Sequence, residues 1–274
     1  DNNISLNWNI INSYEDEYEY KVYSQGQGSE EYTTVGTNDY ESEDKIKVLN
    51  VYPNAGNTLK TWMETNGYGR GIILVDPIDI GSFNSNPEYY LGTEGNWNYD
   101  VIMFGTWDSN NGCDISASAS ELTEKFINDG RGAIFGHDTI GMSGGNLTHP
   151  NFTSLAKYVN ITMGAPWSVA SGNSQVVITK KGIFTSFPWD IGEIGDVLNI
   201  PWSHHLDQYA NGDIWLKFKD REQDNFYLTT WNNCAMIQTG HSSGAATEDE
   251  QKIIANLIGF VKQTTTNTYA KDYA

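Results

Sequence analysis

Histidine and aspartate side chains stand shortly after apolar runs of the sequence. His137 and Asp138 follow one such run directly, and His241 follows another. Asp108 comes a few residues after a third run. Imidazoles and carboxylates that meet at one place bind a divalent metal ion or act as general acid and base. These four residues are therefore the candidate catalytic residues.

Polar and aromatic residues of nearby loops form a second group, the candidate ligand-binding residues: Trp107, Asn110, Trp202, His204 and His205. The two adjacent histidines rank lower as ligands, since neighbouring side chains usually diverge. A histidine after a strand also caps helices or bonds a backbone carbonyl, which is the structural alternative for the first group. A divalent metal is one possible cofactor. Because no HExxH spacing occurs, the sequence does not identify that metal.

Alternating strands and helices are predicted from Lys45 onward. Buried-type apolar runs predict strands, and capping residues followed by amphipathic segments predict helices. The predicted strands cover 45–52, 71–75, 99–104, 132–136, 175–179, 213–218 and one or two segments in 226–239; the predicted helices cover 57–66, 122–128, 152–159 and a segment after 247. Residues 45–263 are thus predicted to form an α/β domain with a doubly wound, mostly parallel sheet. Ligands of such sheets bind beyond the carboxyl ends of the strands, where the candidate catalytic residues stand.

Both ends of the chain differ from this central domain. Residues 1–44 hold eleven acidic residues against one basic residue, with strand-like alternation at 4–8, 18–23 and 32–35. They are predicted to form a small β extension that is similar to part of a fibronectin type III module. The polar residues 264–274 are predicted to be a tail or linker.

Composition narrows the classes of function. The 274 residues carry a formal net charge of −19, which repels nucleic acid and anionic membranes. No apolar run approaches the roughly 18 residues of a membrane helix. A low content of charged residues, 19%, with abundant Gly, Asn, Ser and Thr is common in secreted bacterial domains, so we expect a secreted or cell-surface protein.

The two cysteines form no CxxC pair. Cys234 lies in an apolar stretch and is predicted to be a buried strand residue, whereas Cys113 lies in a polar loop. A nucleophilic Cys113 would need a base beside it, which remains an alternative, and a disulfide between the two thiols stays open.

The strand-end phrases YDVIMFGTWD, GRGAIFGHDT and MIQTGHSS…TEDEQKI resemble the class I glutamine-amidotransferase-like fold. Within that fold they are most similar to the trehalose-utilisation-protein-like branch. The branch has a histidine after its central strand and a GH pair near its last strand, which correspond here to His137 and to Gly240-His241. The chain is also similar to an uncharacterised domain of large surface proteins in Gram-positive anaerobes.

The resemblance implies a flavodoxin-like α/β fold and leaves the activity open. Amidotransferases carry a nucleophilic cysteine in the turn after the central strand, and the turn at 135–139 holds none, which excludes that mechanism. Two functions remain. The first is a non-catalytic adhesive or binding module for glycans, other surface proteins or a second copy. The second is a carbohydrate-active or metal-dependent hydrolase that uses the His/Asp cluster, its loop tryptophans stacking on sugar rings: Trp97, Trp107, Trp167, Trp189 and Trp202.

Overall fold

The computed structural model describes residues 20–24, 33–38, 45–53, 56–107, 112–141, 143–144, 147–163, 172–204, 208–220 and 226–263. The chain divides into two compact units, Asp1–Lys45 and Ile46–Ala274. In the first unit, β1 (Tyr20–Ser24) and β2 (Thr33–Asn38) pair antiparallel, which confirms two of its three predicted strands. The third, at 4–8, lies outside the described residues.

The second unit contains the remaining strands and all the described helices. Its strands are β3 (Ile46–Tyr52), β4 (Ile73–Asp79), β5 (Gly92–Thr93), β6 (Asn96–Trp97), β7 (Val101–Phe104), β8 (Gly132–Phe135), β9 (Ser143–Gly144), β10 (Leu147–Thr148), β11 (Ile161–Met163), β12 (Asn173–Ile178), β13 (Val197–Ser203), β14 (Gln208–Ala210), β15 (Asp213–Phe218), β16 (Leu228–Trp231) and β17 (Cys234–Ile237). Its helices are α1 (Thr58–Lys60, continued by a π turn over Thr61–Thr65), α2 (Ile80–Ser85), α3 (Pro87–Leu91), α4 (Ala117–Asn128), α5 (Pro150–Ser154, followed by a 3₁₀ turn over Ala156–Tyr158), α6 (Ile183–Ser186) and α7 (Glu248–Gln263).

A nine-stranded sheet organises this unit in the order β13-β12-β15-β16-β17-β8-β7-β3-β4. The five strands from β17 to β4 are parallel, and the four from β16 to β13 run antiparallel. Every residue of β7, β8 and β17 is buried, as expected for parallel strands that are covered on both faces. The predicted α/β class is confirmed.

Both edge strands contain a proline, and both depart from the prediction. β4 begins later than predicted and continues through Pro77, and β13, with Pro201, was not predicted at all. Proline has no N–H to donate to a neighbouring strand, so within sheets it is tolerated mainly at edges. The order of strands places both prolines on edge strands. The missing N–H therefore removes no hydrogen bond to a further strand of the sheet.

The sequence predicts one capping box at 118–121 and another at 247–250, and both differ in detail in the structure. The helix α4 begins earlier than predicted. Its N-cap is Ser116 and not Ser118, and Ser116 Oγ accepts a hydrogen bond from the Ala119 N–H. At α7, Thr247 Oγ1 accepts from the Glu250 N–H at 3.2 Å, as predicted. The Glu250 side chain, however, points into the protein and contacts the segment after β17. The expected apolar face of α7 is fully buried: Ile253, Ile254, Leu257, Ile258 and Val261.

Among the described residues, no helix is long and apolar enough to cross a lipid bilayer.

Candidate metal centre

Three histidines converge at the carboxyl end of the sheet. His137 follows β8, His204 follows β13 and His241 follows β17. One ring nitrogen of each lies within 4.8 Å of those of the other two, and the ring centroids are 4.7–5.2 Å apart. His137 is buried, His204 is half-buried and His241 is exposed, so the cluster opens from the interior to the surface.

The parallel pairing of β8 with β17 brings two of the histidines together. Because the carboxyl ends of parallel neighbours meet at one edge, the residues after Phe135 and after Ile237 are adjacent. The turn after β8 is fixed locally by Thr139 Oγ1, which donates to the Gly136 carbonyl at 2.7 Å. Asp138 occupies the left-handed region in this turn, with φ +60°, a conformation that aspartate tolerates better than most residues.

The end of β13 brings in the third histidine. Ser203 Oγ donates to the Gln238 carbonyl at 2.7 Å, and the His241 N–H donates to the Trp202 carbonyl at 2.9 Å. A β-carbon on Gly240 would lie only 2.6 Å from Pro201 Cβ, so the close approach of the two segments requires glycine here. These contacts hold the residue after β13, His204, beside His241.

Burial and charge set the protonation of the site. Although the residue is exposed, partial burial of its ring lowers the pKa of His241, which favours the neutral imidazole that metal binding requires. The carboxylate of Asp138, itself buried, has its Oδ1 atom 3.5 Å from His137 Nε2. This distance places the carboxylate next to the imidazole but is long for a hydrogen bond. The cluster therefore combines three imidazoles with one adjacent carboxylate.

This donor set fits zinc. Zinc takes imidazole nitrogen at about 2.0–2.1 Å in tetrahedral sites, whereas calcium and magnesium prefer oxygen. Ligand nitrogens around a tetrahedral zinc are roughly 3.4 Å apart. The ring nitrogens here lie within 4.8 Å of one another, so small movements of the rings would bring them to that spacing. The exposure of His241 leaves a side of the cluster open to a fourth ligand.

An aromatic surface borders the open side. The Trp202 ring lies 4.9 Å from the His241 ring and 5.3 Å from the His204 ring, centroid to centroid, and Trp202 is 47% exposed. An indole in this position offers a flat apolar face to a ligand next to the imidazoles.

The other candidate residues are placed as follows. Asp108, Asn110 and His205 lie outside the described residues, as does Trp167. Trp107 is half-buried, with its indole near Gly244. Trp97 and Trp189 have packing roles: their Nε1 atoms donate to Asp129 and to the Tyr68 carbonyl. His204 joins the cluster, whereas the adjacency of His204 and His205 in the sequence argues against both as ligands.

The structure also places the two cysteines and His149. Cys113 and Cys234 are both free thiols; Cys234 is fully buried, as predicted, and burial raises the pKa of its thiol. His149 is also buried, with Nδ1 3.2 Å from the Thr139 carbonyl, so it supports the turn that carries His137. The sequence does not predict this contact of His149, nor the hydrogen bond from the Gly240 N–H to the Glu250 carboxylate.

The chain shares its fold with a solved bacterial structure. No family model matches the chain, and no curated protein matches it. The cytoplasmic protein STM1381 from Salmonella typhimurium LT2 has a TM-score of 0.51 and 13% identity, over 89% of this chain and 96% of that one. A protein from Parabacteroides merdae ATCC 43184 described as ThuA-like has a TM-score of 0.48 and 12% identity, over 84% and 95%. At this identity the first likeness shows a common α/β fold.

Proposed function

We propose that the chain is a zinc-dependent hydrolase whose metal is held by His137, His204 and His241. The observation that carries this proposal is the convergence of three imidazoles from three separate strand ends to within 4.8 Å. Structural zinc sites are usually closed by four protein ligands, whereas catalytic sites use three and keep one position open. The three-histidine set with one exposed side corresponds to the catalytic arrangement.

Asp138 is the acid–base group of this proposal. Zinc held by the three imidazoles would supply a Lewis acid and would make a water molecule nucleophilic near neutral pH. Asp138 would accept the proton of the attacking water and return it to the leaving group of the cleaved bond, because its carboxylate lies beside His137 in the left-handed turn. A positioned base of this kind contributes about 10²–10⁴-fold to a rate.

We infer that the substrate is a carbohydrate or glycoconjugate. The exposed face of Trp202 beside the imidazoles supports this, since aromatic faces stack on sugar rings. The strand-end phrases support membership of the trehalose-utilisation-protein-like branch, and the composition supports a secreted or cell-surface location. A non-catalytic glycan-binding module is the second candidate, which the same exposed indole also favours.

Metal content tests the zinc site. The full chain, purified without chelators, is analysed for metals beside a His137→Ala/His241→Ala variant and a Cys113→Ser control. We expect stoichiometric zinc in the wild type and the control and its loss in the double variant. Absence of metal from the wild type after incubation with zinc would overturn the proposal.

Turnover tests the chemistry. A panel of glycans and chromogenic glycosides is offered to the wild type and to Asp138→Asn. We expect Asp138→Asn to keep its zinc and to lose about 10²–10⁴-fold in kcat. Equal turnover by both proteins would remove Asp138 from the mechanism, and binding of a glycan without turnover would favour the second candidate.

A further inference from the structure

A buried carboxylate lies behind the histidine cluster. Glu250, in the first turn of α7, is fully buried. Its Oε1 atom accepts a hydrogen bond from the Gly240 N–H at 2.7 Å and another from the Tyr227 hydroxyl at 2.8 Å. Burial and then the charge of Glu250 raise the pKa of Tyr227 well above 10, so the phenol stays protonated and donates.

These hydrogen bonds connect the carboxylate to two members of the cluster. Gly240 immediately precedes His241, so its N–H fixes the peptide that leads into that residue. The N–H of His241 in turn donates to the Trp202 carbonyl, two residues before His204. The position of Glu250 Oε1 therefore affects the positions of His241 and His204 through these backbone hydrogen bonds.

A buried acid at this place needs an explanation beyond packing. Burial of a carboxylate is unfavourable unless hydrogen bonds compensate it, and an apolar side chain of the same size would fill the space at lower cost. The Oε1 atom of Glu250 is bonded outside its own helix, by the Gly240 N–H and the Tyr227 hydroxyl. Its carboxylate is directed to the turn that carries His241.

We propose that Glu250 is a positioning residue of the metal centre, which it acts upon through the Gly240 N–H. This inference rests on the proposed zinc site. Outer partners that orient metal ligands are typically worth 10–100-fold in metal affinity. Glu250 sets the position of His241 directly and that of His204 through the Trp202 carbonyl.

Asn256 provides a matched control on the same helix. It is fully buried, and its Nδ2 donates to the Phe184 carbonyl at 2.7 Å and to the Trp189 carbonyl at 2.8 Å. It thus ties α7 to α6 and to the segment after α6, as Glu250 ties α7 to Gly240. If the role of Glu250 were purely structural, replacing Glu250 and replacing Asn256 would have the same effect on zinc binding.

The test compares volume-matched variants of the full chain. Zinc affinity is measured by competition with a chromophoric chelator, and the ligand geometry by the visible spectrum of the cobalt(II)-loaded protein. We expect Glu250→Met to weaken zinc binding by about 10–100-fold and to change the cobalt spectrum. Glu250→Gln, whose amide oxygen still accepts from the Gly240 N–H, should retain the wild-type zinc affinity and cobalt spectrum. Asn256→Leu should leave the affinity and the spectrum unchanged even if it lowers Tm. Should Glu250→Met not fold, Glu250→Asp, one methylene shorter, is expected to weaken binding to a smaller extent.

The outcomes separate the two proposals. A wild-type chain that binds no zinc overturns the proposed function and this assignment with it. Tight binding by the wild type, with an unchanged affinity and cobalt spectrum in the folded Glu250 variant, overturns the role of Glu250 alone. Equal losses in the Glu250→Met and Asn256→Leu variants would do the same, because they would indicate a general effect of α7.

Discussion

Replacement of Gly240 by alanine should disrupt the histidine cluster without touching a histidine. An added β-carbon would lie 2.6 Å from Pro201 Cβ and 2.7 Å from the Pro201 carbonyl oxygen. Non-bonded carbon atoms prefer about 3.5–4.0 Å, so the two segments must separate by about an ångström. The obstructing atoms belong to the backbone and to a proline ring, and they cannot turn aside as a flexible side chain would.

The expected magnitude follows from this displacement. Ligand distances in metal sites are held to about ±0.2 Å, so a shift of about an ångström between the segments before His204 and His241 removes one ligand. We expect zinc affinity to fall by at least about tenfold, as for the loss of a ligand-orienting contact. Overpacking of this kind should also lower the free energy of unfolding by about 1–3 kcal/mol.

The assay is a zinc competition titration on Gly240→Ala, with Gly259→Ala as the matched control. A β-carbon on Gly259, in α7, would meet only Pro188 Cδ at 3.9 Å, which is an ordinary contact. Alanine is also favoured over glycine in a helix by about 0.5–1 kcal/mol, so the control should be slightly more stable and should bind zinc normally. Unchanged zinc affinity in Gly240→Ala would refute the argument that this close approach holds the cluster together.

Three further predictions concern His149, Trp202 and Cys113. Burial lowers the pKa of His149 below its usual 6.5; its contribution to the free energy of unfolding is full above about pH 6.5 and is lost as the pH falls below that value. Urea titrations at about pH 7.5 and about pH 5.5 should therefore show a smaller pH dependence for His149→Gln than for the wild type, and equal dependence would contradict this sign. Trp202→Ala should keep its zinc but weaken glycan binding by about 1–3 kcal/mol in isothermal titration calorimetry; unchanged affinity would remove Trp202 from the binding surface. Cys113→Ser should retain full turnover, and loss of activity with zinc retained would instead support the alternative of a cysteine nucleophile.

The parallel part of the fold could be predicted because its signals are local. Continuous apolar runs marked β3, β7 and β8, and the position of His137 and His241 after such runs indicated the edge where they meet. The participation of His204 could not be predicted, because β13 contains Pro201, which argues against a strand unless the strand is known to lie at an edge. The order of strands is a tertiary property, and only it places β13 at an edge.

Glu250 illustrates a second limit. A Thr-x-x-Glu sequence predicts a capping box whether the glutamate returns to its own helix or contacts another segment. The acceptor role toward Gly240, ten residues earlier, depends on how α7 packs against the end of β17. A local pattern contains no information on that packing.

X-ray absorption at the zinc edge of the wild-type chain tests the central claim most directly. A zinc shell that contains three imidazole nitrogens at about 2.0–2.1 Å is expected, and the His137→Ala/His204→Ala/His241→Ala variant should lose it. A shell without imidazole scattering, or a wild-type chain that takes up no zinc, would contradict the account.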